Sequence, residues 1–409
     1  MLWSSGALPI LLFFHNILLS NVQSALAQLC PAVSSVFEPF DQSEESHIYN
    51  YPTTTSSSIS DTCSANAIMS TDQDEEGPVQ VYIMLGQSNM LGFGAVGPPD
   101  KPGTLRNLVE QQGKYPHLKN SNNNDDDLLE WTQLPTVRYV HVMQHKQQME
   151  VKHNEWLTIQ KGQRHFGPEL GFGHVLGPAM SQTKRKGQIL LLKACIGNRS
   201  LGWDLLPPGS PSFEHRDDGN IYAGYKESPN FWKKGTTPKP IGWYAGKQYD
   251  DDTAMCKEIL DNLPNYYPGA KNNKDYEVVG FVWWQGHKDG NAALASRYEQ
   301  NLVRLIHSLR NDFNAPHAKF VCATVGFDGV NLKGHLLTVA DAQLAVSGET
   351  GKYPEFEGNV KTIDARPYWR DKEQSPVGQH HHYNQNAETF YEVGRALGEA
   401  MLELLQDSS

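Results

Sequence analysis

Apolar residues along the chain follow two rhythms that alternate with each other. Near-continuous apolar runs occur at 79–85, 189–195, 277–284, 319–325 and 360–365, each of strand length and each bounded by glycine, proline or polar residues. Runs of this kind predict strands buried on both faces, as in a parallel sheet covered by helices. Between them the spacing changes to three and four residues. Leu294, Tyr298, Leu302, Leu305, Ile306 and Leu309 fall on one helical face, as do Phe390, Val393, Leu397, Met401 and Leu404 near the C-terminus. Strands alternating with helices predict an α/β fold with a mainly parallel central sheet. In such a sheet functional residues lie just beyond the C-terminal ends of the strands.

Two intervals break the rhythm and read as long inserted loops. Residues 98–156 include the Asn/Asp-rich run 120–127, expected to be a solvated loop tip, and residues 203–252 are dense in glycine, proline and aromatics, a candidate rim for a substrate site. Residues 167–173, GPELGFG, are predicted to open a helix. No internal repeat is present.

The N-terminal residues add a secretory character. An apolar run at 7–19 followed by Ala25-Leu26-Ala27 reads as a signal peptide over 1–27, against the alternative of an uncleaved anchor. Residues 28–77, rich in Ser, Thr, Asp and Glu, bury too little apolar surface to offset their ordering entropy and read as a polar linker. The catalytic body is expected over 78–409. Of five cysteines, Cys30 and Cys63 flank the linker and can close it, whereas Cys195, Cys256 and Cys322 sit in apolar surroundings suited to packing. A net charge of -11 argues against a general electrostatic grip on nucleic acid or anionic membrane. No run after the signal is long enough to span a bilayer.

The sharpest chemical feature is Gly86-Gln87-Ser88-Asn89-Met90, directly after the first core strand. A serine on such a turn can project its hydroxyl into a crevice, although it can equally cap a helix. A nucleophilic serine needs a base, and His380-His381-His382-Tyr383-Asn384 stands just before the last helix. In an α/β sheet the loops after the first and last strands can open at one edge, so Ser88 and His382 can meet. A metal site is the competing reading of the three histidines, but adjacent side chains of an extended segment diverge. Acyl transfer also needs donors for an oxyanion. The Gly197 N–H, after the strand ending at Cys195, and the Gln285 amide, after Trp283-Trp284, are the candidates, and both can also be plain turn residues. Gln87 and Arg199 are candidate substrate ligands.

Together these blocks resemble the SGNH/GDSL hydrolase superfamily, and in detail its sialate O-acetylesterase-related branch, which includes carbohydrate esterase family six. The resemblance rests on GQSNM at 86–90; on Gly197 to Leu201 with Pro207-Pro208; on WWQG ending at Gly286; and on His382-Tyr383-Asn384, in that order. It implies a three-layer α/β/α sandwich, flavodoxin-like in outline, with long inserted loops. It further implies Ser88 as nucleophile, His382 as base, and the Ser88 and Gly197 N–H groups as oxyanion donors. Gln285 takes the place where the superfamily has asparagine. The implied reaction is hydrolysis of an O-acetyl ester of a carbohydrate through an acyl-enzyme, without a cofactor or metal.

Three departures qualify it. Superfamily members place an acid three residues before the histidine, where this chain has Gln379; related branches have Glu where it has His287; and Cys195-Ile196 precede Gly197. Asp364, at the end of the last predicted strand, is then the first candidate to orient His382, ahead of Asp371 and Glu373. Asp289 is a candidate to compensate for His287. The alternative is a non-catalytic carbohydrate-binding or cell-surface protein on the same scaffold. The particular acetylated sugar and the oligomeric state stay open.

Overall fold

A computed structural model describes residues 77–120, 130–146, 148–181 and 188–406. The expected signal peptide and most of the linker, Cys30, Cys63 and residues 121–127 of the Asn/Asp run lie outside the described residues.

Seven strands form the central sheet: β1 (Val79–Gly86), β2 (Val137–His145), β3 (Gln148–Trp156), β4 (Ile189–Cys195), β5 (Tyr276–Trp284), β6 (Lys319–Ala323) and β7 (Val360–Ile363). Their spatial order is β7-β6-β5-β1-β4-β2-β3. All neighbours pair in parallel except β2 and β3, which form an antiparallel edge hairpin. The five strands expected from their apolar runs are present, and every residue of β1 and β4 is buried. β2 and β3 correct the reading of 98–156 as loop. β2 is buried over Tyr139–Val142 but its run is interrupted by Arg138 and His141, and β3, at the edge of the sheet, is largely polar, so neither carries the continuous apolar run of the other strands.

Among the described residues, five long helices cover the sheet: α1 (Glu169–Ser181), α2 (Lys247–Asp261), α3 (Tyr298–Asp312), α4 (Gly334–Ala345) and α5 (Ala387–Gln406). Successive side chains of a strand point to opposite faces, and the adjacent tryptophans of β5 show which helices share a face. Trp283 donates its indole N–H to Tyr298 of α3, whereas Trp284 packs on Phe390 of α5 at 5.4 Å between ring centroids. α1 packs against α5, and α2 is joined to α3 by the Tyr249 hydroxyl donating to Asp312 at 2.5 Å. The result is the expected three-layer sandwich. All ten apolar positions predicted for the amphipathic faces of α3 and α5, together with Leu294 just ahead of α3, are buried.

The interval 203–252 is less open than expected. It holds a three-stranded antiparallel sheet, Phe213–His215, Asn220–Tyr222 and Phe231–Lys233, beside a small apolar cluster of Trp203, Leu206, Ala223 and Ala245. Cys195, Cys256 and Cys322 are buried free thiols, as their apolar surroundings suggested.

The chain winds from β1 to β2, β3 and β4 on one side and then crosses to β5, β6 and β7 on the other. The winding therefore reverses at β1, and a crevice opens beyond its C-terminal end.

Candidate active site

Register places the site. Gly86, the last residue of β1, lies opposite Cys195 of β4 and Trp284 of β5, so the loops bearing Ser88, Gly197 and Gln285 leave three adjacent strands at one level. The chain at Gly86 passes so close to β5 that a Cβ there would sit 2.3 Å from the Trp284 carbonyl oxygen, which restricts the position to glycine. Ser88 opens a short helix, Ser88–Leu91, and is 5 % exposed. Among the described residues, the Ser88 and Gly197 N–H groups have no hydrogen-bond partner, as a pair of oxyanion donors requires.

His382 reaches the same end of the sheet through its neighbour. Tyr383 is fully buried; its ring lies 5.2 Å from that of Trp284, and its hydroxyl accepts the Gly326 N–H at 2.9 Å. Tyr383, Asn384 and Gln385 all have left-handed φ, at 49°, 56° and 55°. Such a run is costly for residues with a Cβ and persists where surroundings over-determine it. Here Asn384 donates to the Arg370 carbonyl, Gln385 to Gln379, and Asn386 accepts the Glu388 and Thr389 N–H groups of α5 while donating to the Gln374 carbonyl. The His382 ring stacks on Phe93, with centroids 3.8 Å apart and planes within 8°. Burial, followed by the nearby His381, His287 and His165, pushes its pKa down to about 2. The three consecutive histidines diverge: His380 pairs with Asp328 at 2.9 Å, His381 stacks toward His287, and His382 lies on Phe93. Among the described residues no cluster of three His, Cys, Asp or Glu is arranged to hold a metal ion.

The structure does not join every predicted residue to Ser88 or His382. No hydrogen bond links the Ser88 hydroxyl to the His382 ring among the described residues, and His382 Nδ1 is buried without a partner. Asp364 is therefore not its orienter. That carboxylate is gripped by both Nε and Nη2 of Arg366 and accepts the Thr324 hydroxyl at 3.3 Å, which hold it at β7 and keep its pKa low.

Gln285 is not an available oxyanion donor. Its Nε2 faces Gln87 Oε1, the Arg199 carbonyl and Asp289 Oδ2 at 3.1, 2.9 and 2.6 Å, leaving no proton for a substrate. Gln87 is likewise structural. It is 1 % exposed, and its Oε1 collects Gln285 Nε2 and the N–H groups of Gly286 and Lys288. Arg199 points inward to Gln248 and Gln144 and lies under Trp243, its guanidinium carbon 5.1 Å from the ring. Trp283 and Trp284 are core residues.

Two buried polar networks frame the candidate site, one of them through Glu169 of the GPELGFG segment. Glu169 and Lys193 form a buried ion pair at 2.8 Å; Lys193 also donates to the Leu91 carbonyl, and Glu169 accepts the Gly167 N–H. The pair thus ties β4 and α1 to the short helix that begins at Ser88. Removing one partner of such a pair costs about 3–5 kcal/mol, since the other charge stays buried. The signal was present in the sequence, because a lysine within an apolar strand requires a partner. A second buried network joins Gln285, Tyr298 and Gln343: Tyr298 donates to Gln285, while Gln343 Nε2 donates to the Gln285 carbonyl at 2.6 Å. A cavity of about 920 Å³, lined by Trp131, Ile159, Arg164, His165, Val377 and Gln385 among others, adjoins the His382 loop but includes neither Ser88 nor His382.

Residues 239–403 match the family described as carbohydrate esterase, sialic acid-specific acetylesterase. That span contains the WWQG and His382 blocks and begins after the Ser88 and Gly197 blocks. No curated protein matches the chain. Among solved structures, the chain is similar to a protein from Arabidopsis thaliana at 18 % identity, covering 80 % of this chain and 98 % of that one, with a TM-score of 0.42. It is also similar to a carbohydrate acetylesterase from Xanthomonas citri at 12 % identity, over 80 % of this chain and 57 % of that one, TM-score 0.40. For NanS the values are 14 % identity, 81 % and 99 % coverage, and a TM-score of 0.40. Over residues 239–403 the chain thus resembles the sialic acid-specific acetylesterase family of carbohydrate esterases, the branch to which its four ordered blocks also point.

Proposed function

We propose that the chain is a secreted serine esterase that removes O-acetyl groups from carbohydrates, with Ser88 as nucleophile and His382 as general base. The observation that carries this reading is the register at Gly86, which brings the Ser88 and Gly197 loops to one level, while Tyr383 on Trp284 holds His382 at the same end of the sheet. The family match over 239–403 supports the carbohydrate ester as substrate class, and the reading of 1–27 as a signal supports secretion.

In this mechanism the Ser88 hydroxyl adds to the acetyl carbonyl as its proton passes to the His382 imidazole. The negative charge of the tetrahedral intermediate is taken by the Ser88 and Gly197 N–H groups. Collapse breaks the bond to the sugar oxygen, which leaves with the proton from His382. Water then repeats the sequence on the acetyl-serine and releases acetate. The steps need no cofactor. Ser88→Ala is expected to abolish turnover of a chromogenic acetyl ester while leaving the unfolding transition unchanged; wild-type turnover in that variant would overturn the assignment.

One observation favours a second reading, a carbohydrate-binding protein that has lost catalysis: no carboxylate meets His382 Nδ1. Glycan binding without release of acetate from acetylated oligosaccharides between about pH 5 and 9, where an ordinary histidine titrates, would decide for it.

A further inference from the structure

We propose that Asp289 is the positioning residue of the oxyanion hole: its carboxylate, by accepting the N–H groups of Leu201 and Gly202, sets the direction in which the Gly197 N–H points. The proposal rests on the esterase reading above and assigns a role in it to a residue outside the four blocks.

The carboxylate is fully buried. Oδ2 accepts the Leu201 N–H at 2.9 Å and the Gln285 amide at 2.6 Å, and Oδ1 accepts the Gly202 N–H at 2.8 Å. The preceding residue is held in the same manner, since Asp204 accepts both the N–H and the hydroxyl of Ser200, at 2.9 and 3.1 Å. Three successive backbone N–H groups, at 200, 201 and 202, therefore converge on carboxylates, a concave arrangement suited to an anion. Here the anions are side chains of the protein. One comes from the loop itself and the other from the loop after β5, so Asp289 fastens the β4 loop to its neighbour across the mouth of β1.

Gln285 completes the fastening by donating to the Arg199 carbonyl. Backbone groups at 199, 200, 201 and 202 are all fixed, and the Gly197 N–H stands two residues upstream of the first of them. The fit is close: a Cβ on Gly202 would lie 2.7 Å from Leu294 Cδ2 and 3.2 Å from Asp289 Oδ1. Asp289 is not the missing orienter of His382, whose Nδ1 meets no hydrogen-bond partner. An oxyanion donor acts only if its direction is fixed before charge develops, and displacement by about 1 Å can cost on the order of a hundredfold in rate.

Asp289→Asn keeps the shape but turns one accepting oxygen into a donor facing a backbone N–H. With a chromogenic acetyl ester, kcat is expected to fall tenfold to a hundredfold while KM changes less than twofold. A boronic acid that forms a tetrahedral adduct with Ser88 should lose affinity by the same factor, and amide hydrogen exchange at 199–202 should accelerate. Gly202→Ala, which crowds the same contact from the other side, should reproduce the kcat loss, and it carries the test should Asp289→Asn fail to fold. A folded variant with wild-type kcat and wild-type boronate affinity overturns the proposal. Absence of turnover in the wild-type chain would instead remove the esterase reading, so the two failures are distinguishable.

Discussion

The two halves of the candidate site are held by different forces. On the Gly197 side the backbone is fixed by hydrogen bonds to buried polar groups, Asp204, Asp289 and Gln285, each of which also reaches a neighbouring residue or loop. On the His382 side the imidazole is held by ring packing on Phe93 and by a run of left-handed backbone, and its Nδ1 meets no polar group. The first half is built for charge, the second for shape. In the proposed mechanism a base kept in place by shape is neutral at rest, ready to accept a proton, but has no fixed negative charge to stabilise the imidazolium that follows. In a Ser-His-Asp triad one carboxylate orients the ring and stabilises that cation; here the ring is stacked on Phe93 instead.

The contrast can be broken in three places, from the largest effect to the smallest. His382→Ala removes the base and should lower kcat by about 10²- to 10⁴-fold with the fold retained, read by ester turnover beside circular dichroism. Phe93→Ala takes away the stacking surface and admits water. Because burial is the main reason that the His382 pKa lies near 2, exposure must raise it toward the usual value near 6.5. An NMR titration of the ring should show this rise, with kcat reduced by about tenfold as orientation is lost. An unchanged titration would mean that Phe93 does not set the environment of the base. Asp364→Asn is the sharpest test of the missing triad. With Asp364 committed to Arg366, turnover should stay within about twofold of wild type, since no interaction made in the transition state is removed. A loss of a hundredfold would restore Asp364 as the orienting acid.

Much of this was legible in the chain, and the limits have physical causes. Strands buried on both faces write themselves as apolar runs, so β1, β4, β5, β6 and β7 were readable, and so were the amphipathic faces of α3 and α5. The hairpin β2–β3 was not, since Arg138 and His141 interrupt the apolar run of β2, and β3, at the edge of the sheet, is largely polar and looks like loop. Ser88 and His382 stand in blocks whose residue types announce their chemistry. Gln285, Gln87 and Arg199 announced chemistry too, yet the fold turned their polar groups on each other and on neighbouring loops.

What the sequence determined by itself was the order of the five apolar strands and of the amphipathic helices α3 and α5, the serine at a strand-to-loop turn and the histidine before the last helix, because these follow from local periodicity and residue type. Only the tertiary structure decided which polar side chains face the crevice and which serve as its framework. Hydrogen-bonding capacity is spent on whatever partner lies within about 3 Å, and that distance is set by strand register and loop closure between residues as far apart as Gln87 and Gln285. The same rule gave Asp289 to the Gly197 loop, Asp364 to Arg366, and left the His382 ring to an aromatic neighbour.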